Sequence, residues 1–172
     1  MDMSKKLALL ATNGYEDLEL HYPRIRLLEA GHETELIGLS RKEITGKWGY
    51  PCTPGLTIEN ARPDDYDGVI IPGGTKNPDY LRRSKKTLDF VHEINEAGKL
   101  VGAICHAGWV LISAKVIKGR KATSYFAIKD DMINAGALFE DKSVVIDNNL
   151  ITSRSPDDLP AFMKAILNFL QE

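Results

Sequence analysis

The sequence predicts an α/β fold with a mainly parallel central sheet covered by helices on both faces. Short, wholly apolar runs alternate with longer segments that carry polar residues, and this alternation is typical of parallel sheets whose strands are buried on both sides. Polar or glycine-rich loops follow three of the apolar runs, at residues 13–16, 72–75 and 105–108. Because such folds place their chemistry at the carboxyl ends of the strands, we expect these loops to meet.

Short apolar runs between turn residues mark the strands. We predict strands at residues 7–11, 34–39, 67–71, 100–104, 122–124, 144–146 and 150–152. Residues 41–60 differ, because glycine and proline interrupt short β-prone pieces there. We interpret this segment as a hairpin excursion rather than a second domain, and we expect residues 1–172 to form one domain.

The helices are predicted from the longer segments between these strands. They are expected over residues 17–30, 79–97, 107–114, 128–135 and 156–170. Gly31 and Gly98 are expected to end the first two, since glycine is favoured just beyond a helix C-terminus. Pro23 is expected near a first turn or at a kink, and Ser155 is expected to cap the last helix.

Composition excludes several classes of protein. Hydrophobic residues make up 43% of the 172 residues, charged residues make up 27%, and the formal net charge is −2. Because acidic and basic residues are interspersed, we expect neither a nucleic-acid surface nor a polybasic membrane patch. No apolar run approaches the roughly 20 residues that span a bilayer, and the first residues lack the pattern of a signal peptide. The sequence therefore predicts a soluble, cytoplasmic protein without nucleic-acid or membrane partners.

The central chemical feature is residues 102–108, where an apolar run leads through Cys105 and His106 into small residues. Small flanking residues permit a sharp strand-to-helix turn, as in the nucleophile elbow of hydrolases, here with cysteine in place of serine. A helix N-terminus favours the thiolate, so we expect a lowered pKa for the Cys105 thiol. The alternative is an inert cysteine buried at the end of a core strand.

Further residues are expected to converge on this thiol. Gly73 and Gly74 let backbone N–H groups approach a reacting oxygen closely, and a simple tight turn explains them equally well. Glu16 could share a proton with the thiol or orient it, and the alternative is a solvated acid at a helix start. Tyr125 is interpreted either as a pocket residue or as a core aromatic at a strand end.

No metal site and no cofactor are expected. The sequence has no Cys-x-x-Cys, no paired-histidine spacing and no carboxylate-rich loop of the calcium type. The second cysteine, Cys52, lies in the hairpin segment and is interpreted as incidental, since two distant cysteines in a reducing compartment are weak grounds for a disulfide.

Several segments resemble the PfpI-type intracellular proteases and deglycases of the ThiJ/PfpI superfamily, which share the fold of class I glutamine amidotransferases. These segments are residues 16–20, 30–33, 44–47, 72–74, 103–106, 119–124, 131–136 and 152–159. Each is weakly specific alone, and their shared order and spacing, nearly from end to end, carry the resemblance.

The resemblance implies a flavodoxin-like, three-layer sandwich with Cys105 as the nucleophile, held near Glu16. It also implies an oxyanion and substrate-binding set, which comprises Gly73, Gly74, Ala107 and Tyr125. In similar proteins the histidine at the position of His106 is completed by an acid from a neighbouring subunit. A homodimer or a hexamer with the active site near the subunit interface is therefore implied.

This chain departs from the family pattern on both sides of the expected site. The usual Cys-His-Gly-Pro is replaced by Cys-His-Ala-Gly at residues 105–108, and the bulky Trp109 follows. The acid expected to reach across the interface is Asp79, which is one methylene shorter than glutamate. Related deglycase-like members also carry Pro-Asp here, so small carbonyl substrates are favoured.

Three functional hypotheses follow. The first is a hydrolase that attacks electrophilic carbonyls through Cys105, a deglycase or glyoxalase for methylglyoxal and glyoxal adducts, with Glu16 or His106 moving protons. The second is an ATP-independent intracellular peptidase whose triad is Cys105, His106 and a neighbour's Asp79. The third is a redox-sensing stress protein or chaperone in which Cys105 is oxidised.

Overall fold

The central sheet of the computed structural model, which describes residues 4–171, contains seven strands. Four further strands form two small sheets of two strands each. In chain order all strands of the described residues are β1 (Lys6–Leu10), β2 (Glu33–Gly38), β3 (Ile44–Thr45), β4 (Pro51–Cys52), β5 (Leu56–Thr57), β6 (Gly68–Ile71), β7 (Leu100–Ile104), β8 (Lys121–Ala122), β9 (Leu138–Phe139), β10 (Val144–Asp147) and β11 (Leu150–Ser153). The order in the main sheet is β10-β11-β7-β6-β1-β2-β5. Its neighbouring strands are parallel except β10 and β11, so the predicted mainly parallel sheet is confirmed.

Helices cover both faces of this sheet. They are α1 (Asp17–Glu29), α2 (Lys76–Arg82), α3 (Lys85–Glu96), α4 (Gly108–Ser113), α5 (Lys129–Asn134) and α6 (Leu159–Gln171). Alternate residues of β1 belong to different apolar clusters, since side chains along a strand point to opposite faces. Leu9 packs in the cluster of α1 and α6 with Phe162, whereas Leu10 packs in the cluster of α3 and α4 with Phe90. The sandwich therefore has three layers.

The predicted hairpin is confirmed for residues 44–52. Strands β3 and β4 pair antiparallel, with Ile44 opposite Cys52. The rest of the segment returns to the main sheet, because β5 pairs in parallel with the edge strand β2. The hairpin thus projects from one edge of the sheet, near the carboxyl end of β1.

The single helix predicted over residues 79–97 is wrong. The chain forms two helices there, α2 and α3, and the first begins at Lys76, ahead of Pro78. Ser84 separates them, because its extended backbone and its side chain, which accepts a hydrogen bond from Thr87 N at 3.2 Å, begin a new helix. A proline in a first helical turn is tolerated because its missing N–H would have no partner there.

Smaller differences between the structure and the sequence-based predictions concern β8, the start of α6 and the position of Pro23. Strand β8 pairs with β9 rather than joining the main sheet. Ser155 makes no side-chain capping bond, and a 3-10 turn at Pro156–Asp158 leads into α6. Pro23 lies inside α1, which continues past it. Within residues 4–171 no helix combines the length and the apolar character needed to cross a membrane.

Candidate active site

Cys105 lies at the elbow that the sequence predicts, directly after β7. Its φ is 62°, in the left-handed region that residues with a Cβ rarely adopt. Residues Cys105–Ala107 form a 3-10 turn that leads into α4. The thiol is 7% exposed, so the turn presents it at the floor of the site rather than on the surface.

Gly73 separates the thiol from a buried carboxyl group, that of Glu19. Glu19 is fully buried, and its Oε2 accepts a hydrogen bond from Gly73 N at 2.7 Å. A Cβ on Gly73 would lie 2.6 Å from Cys105 Cβ and 2.6 Å from Glu19 Oε2. Only glycine fits there, and its small size brings the carboxyl group and the thiol together.

The expectation that Glu16 is the acid beside the thiol is wrong, because Glu16 lies elsewhere and Glu19 takes this position. Glu16 is the N-cap of α1, and its Oε2 accepts a hydrogen bond from Glu19 N at 3.0 Å. Its other oxygen accepts from Trp48 Nε1 at 3.1 Å. Glu16 thus fixes the start of the helix, and Glu19, one turn further along, reaches the thiol. An acid three residues before another acid at a helix start could have indicated this division of roles.

Burial governs the electrostatics of the pair formed by Glu19 and Cys105. Burial, with the charge of Glu16 adding to it, raises the pKa of Glu19 to about 8. Burial and the charge of Glu19 raise the pKa of Cys105 to about 12, against the backbone N–H groups of His106 and Gly74, which favour the thiolate. The expected lowering of the thiol pKa is therefore wrong, because desolvation outweighs the N–H groups. Near neutral pH the thiol therefore keeps its proton, and the carboxyl group is close to its own titration point.

The two oxygens of this carboxyl group differ in their hydrogen bonding. Glu19 Oε1 is buried and has no hydrogen-bond partner within residues 4–171. A buried polar atom without a partner is costly, so such atoms are common where a ligand or a proton is exchanged.

His106 lies against the other side of the thiol. Its Nδ1 is 3.3 Å from Cys105 Sγ. Its ring stacks on Tyr125 at 4.9 Å between centroids and meets Trp109 edge-on at 5.3 Å. Burial and the nearby charge of Lys47 lower the pKa of His106. A neutral imidazole, fixed between two aromatic rings, thus faces the sulfur and can accept a proton from it.

The remaining predicted residues of the oxyanion and substrate-binding set lie at this site. Gly74 has a φ of 79°, and a Cβ on it would lie 2.3 Å from Gly14 O, so the turn requires glycine. Tyr125 N donates a hydrogen bond to Cys105 O at 3.2 Å. Ala107 is buried in the 3-10 turn. These residues therefore lie around Cys105 at the carboxyl ends of β6 and β7, and their roles stay predictions.

Asp79 does not join this group of residues. It lies on α2 with its side chain 54% exposed, and its carboxylate is 3.6 Å from Arg83 Nη2. Within the part of the chain that the structure describes, no hydrogen bond or ion pair links it to His106. The intersubunit triad that involves Asp79 stays a prediction.

The hairpin supplies residues that the sequence reasoning missed. Asp17 accepts hydrogen bonds from the backbone N–H groups of Trp48 and Tyr50, both at 2.9 Å, and so fixes the tip of the hairpin above α1. Lys47 Nζ lies 4.9 Å from the centre of the Trp48 ring. Residues 44–47 carry part of the family resemblance, but no local pattern indicates that they form one wall of the site.

A metal site requires several ligating side chains close together. Over residues 4–171, no three His, Cys, Asp or Glu side chains come together as a group that could hold a metal ion.

Comparison with known proteins assigns the family. A model of the DJ-1/PfpI family matches residues 5–169. The Pyrococcus furiosus protein named deglycase PfpI is 43% identical over 96% of this chain and 99% of its own length. The Bacillus subtilis protein YraA, named as a candidate cysteine protease, is 42% identical over 98% of this chain and 100% of its own length.

The solved structures agree with this assignment. A two-domain protein from Anabaena variabilis that contains DJ-1/ThiJ/PfpI-like and ferritin-like domains superposes with a TM-score of 0.95 at 42% identity. That match covers 97% of this chain and 48% of the two-domain chain. Because the family model and both relatives extend over almost the whole sequence, this chain belongs to the DJ-1/PfpI family.

Proposed function

We propose that this chain is a deglycase, a hydrolase that removes methylglyoxal or glyoxal adducts from amines and thiols through Cys105. The observation that carries the proposal is the position of Cys105 Sγ, 3.3 Å from His106 Nδ1 and beside the buried Glu19 carboxyl group. A nucleophile flanked by two groups that exchange protons is the arrangement that covalent catalysis requires. The name of the Pyrococcus furiosus relative, deglycase PfpI, supports the same reaction class.

The first step is the attack of the sulfur on the former aldehyde carbon of the adduct. His106, kept neutral by its lowered pKa, accepts the thiol proton through Nδ1. A C–S bond forms, the bond from that carbon to the amine or thiol breaks, and the leaving group takes the proton from His106. The nucleophile has a high pKa in the resting site, so transfer of its proton to the histidine and attack are expected to be coupled.

The second step moves a proton between the two carbons of the bound fragment. Glu19, with a pKa near 8, suits this transfer because it can both give and take a proton at neutral pH. The backbone N–H groups of Gly74 and His106 face the thiolate position and stabilise negative charge on the substrate oxygen. Water then hydrolyses the resulting thioester. One carbonyl carbon becomes a carboxylate while its neighbour becomes an alcohol, so the overall reaction consumes one water and needs no external oxidant.

The test is lactate release from the methylglyoxal adduct of N-acetylcysteine in amine-free buffer. Removing a covalent nucleophile costs orders of magnitude, so Cys105→Ser is expected to lower the rate by at least about 1000-fold. The matched control is Cys52→Ser, which removes the other free cysteine and is expected to retain the wild-type rate. Equal rates for wild type and Cys105→Ser would overturn the proposal, provided that circular dichroism shows the variant to be folded.

A peptidase is the second candidate, favoured by the name of the Bacillus subtilis relative. This reading requires Asp79 of a neighbouring subunit, and the exposure of Asp79 permits such a contact. Hydrolysis of a fluorogenic peptide that is abolished by both Cys105→Ser and Asp79→Ala would favour it. Unchanged hydrolysis in Asp79→Ala would exclude the intersubunit triad.

The homodimer or hexamer implied by the resemblance is part of this proposal. Apolar side chains on the outer face of α1, namely Leu18, Ile25 and Leu28, are at least half exposed, and Tyr50 of the hairpin lies beside them. A second copy of the chain would cover this face close to the site, since α1 also carries Glu19. Light scattering that gives a monomer mass at micromolar concentration would contradict this assembly.

A further inference from the structure

The His106 ring has no acidic partner within one copy of this chain. Its hydrogen-bonding contact is the 3.3 Å approach of Nδ1 to Cys105 Sγ. In the part of the chain that the structure describes, no hydrogen bond or ion pair joins the imidazole to a carboxylate. In a catalytic triad an acid holds the histidine in the orientation that the reaction requires. Within one copy of this chain, the orientation of the ring therefore depends on other contacts.

Two aromatic rings provide those contacts, Tyr125 and Trp109. Tyr125 stacks on the imidazole, and Trp109 meets it edge-on, with the ring planes at 70° and the centroids 5.3 Å apart. Both arrangements are ones that aromatic pairs prefer. Trp109 follows His106 by three residues, a spacing that places side chains on the same face of a helix. The indole and the phenol therefore limit rotation of the imidazole from two directions.

The Trp109 ring is itself held by side chains from two other helices. Its Nε1 donates a hydrogen bond to Asp131 Oδ2 of α5 at 2.8 Å, a distance typical of bonds to an ionised acceptor. The Arg82 guanidinium of α2 lies 5.7 Å from the ring centre and donates from Nε to Ser113 Oγ at 2.9 Å. Because Trp109 is only half-buried, the core holds only part of its ring, and these directional contacts fix the remainder.

The departure from the family pattern at residues 107–109 accounts for this arrangement. Gly108 has a helical backbone, with a φ of −50°, so its conformation does not require glycine. A Cβ there would lie 2.7 Å from the sulfur of Met132, a fully buried side chain of α5. The absence of a side chain at position 108 thus lets Met132 fill the space against α4. Asp131 precedes Met132 on α5 and so comes to lie beside Trp109.

We propose that Trp109 and Asp131 are positioning residues that orient His106, so that its Nδ1 faces the sulfur of Cys105. They perform the orienting part that an acid has in a triad, through one aromatic contact and one hydrogen bond. The proposal rests on the proposed function for the reaction and adds the residues that hold its base in place. Because displacing a reacting group by about 1 Å can cost about 100-fold in rate, loss of this support is expected to lower kcat rather than raise KM.

The kinetic test measures lactate release from the methylglyoxal adduct of N-acetylcysteine. Trp109→Phe removes the donor and Asp131→Ala removes the acceptor, so each is expected to lower kcat about tenfold and to change KM by less than about twofold. Asp131→Asn keeps an accepting oxygen without the charge, and is expected to retain kcat within about twofold. The matched control is Asp130→Ala, which removes the neighbouring exposed acid of α5. Equal kcat in Asp131→Ala and Asp130→Ala, or equal losses in Asp131→Asn and Asp131→Ala, would overturn the proposal.

A double-mutant cycle on the reactivity of the thiol needs no turnover. In a Cys52→Ser background, mass spectrometry follows iodoacetamide alkylation of Cys105 at neutral pH. Asp131 is exposed, so its replacement is expected to leave the fold intact. Asp131→Ala is expected to slow alkylation about threefold when His106 is present and to have no effect in His106→Ala, because the two residues act through one group. Equal effects in both backgrounds, or none in either, overturn the proposal. If no adduct is turned over, the deglycase proposal fails alone and this cycle still decides.

Discussion

The two cysteines of the chain lie in different kinds of surroundings, although both are withdrawn from solvent. Cys105 ends the central strand β7 and holds a left-handed backbone. Cys52 is half-buried in β4 of the hairpin, in an ordinary antiparallel pair with Ile44. Burial raises the pKa of both thiols. The effect of burial on the pKa therefore does not distinguish the two thiols.

The neighbours of each sulfur make the difference. Cys52 Sγ donates a hydrogen bond to Tyr15 Oη at 3.3 Å, and that phenol also donates to Tyr50 O and lies 3.1 Å from His21 Nε2. Burial raises the pKa of Tyr15, so the phenol stays neutral and takes no proton from the thiol. Around Cys105, by contrast, a histidine, a carboxyl group and two backbone N–H groups converge. The comparison indicates that convergence of proton-exchanging groups, rather than a low resting pKa, distinguishes Cys105, the proposed nucleophile, from Cys52.

The largest expected contrast within the site is between its two glutamates. Glu19→Gln is expected to lower kcat for lactate release by about 100-fold, because it removes a group that gives and takes protons. Glu16→Gln keeps an oxygen that can cap α1, so it is expected to change kcat by less than about fivefold. Steady-state kinetics on both variants measure the difference. Equal losses of kcat in the two variants would show that Glu19 has no catalytic role that Glu16 lacks.

A smaller effect is expected on the pH dependence of the thiol. The charge of Glu19 adds to burial in raising the pKa of Cys105, so its removal lowers that pKa and shifts alkylation toward lower pH. In a Cys52→Ser background, the rate of iodoacetamide alkylation near pH 9, where Glu19 is ionised, is expected to rise about tenfold in Glu19→Gln. Mass spectrometry follows the reaction. A profile displaced to higher pH would reverse the sign of this coupling.

The smallest effect is expected at the other cysteine. Tyr15→Phe removes a hydroxyl group that bonds Tyr50 and Cys52, so the free energy of unfolding is expected to fall by about 1 kcal/mol. Urea denaturation measures this change, and alkylation of Cys105 serves as the control. A clear change in Cys105 alkylation would mean that the hairpin and the elbow are coupled, and the two regions could no longer be treated as independent.

Local patterns in the sequence were sufficient for most of the fold. The buried strands β1, β6 and β7 are short apolar runs followed by glycine or polar turns, and the elbow at Cys105 needs only its immediate neighbours. The break at Ser84 was missed because apolar periodicity continues across it, although serine three residues before Thr87 is a local helix-start pattern.

The candidate site could be predicted only in part from the sequence, because its geometry depends on contacts between distant segments of the chain. Glu16 and Glu19 are about one helical turn apart, so the sequence alone does not show which of the two carboxyl groups lies beside the thiol. The choice depends on the hydrogen bonds of Glu16 to Glu19 N and Trp48, the second of which joins segments 32 residues apart. The position of Lys47 near His106 could not be predicted for the same reason, because the two residues approach each other only after the hairpin folds over α1.

The left-handed backbone of Cys105 also bears on how such a chain can change over time. Holding a residue with a Cβ at a φ of 62° costs of the order of 1–2 kcal/mol, and glycine alone would relieve that cost entirely. A copy of the chain released from selection for its chemistry would no longer need to hold a side chain in this conformation. At the proposed nucleophile, backbone preference and selection for reactivity thus act in opposite directions.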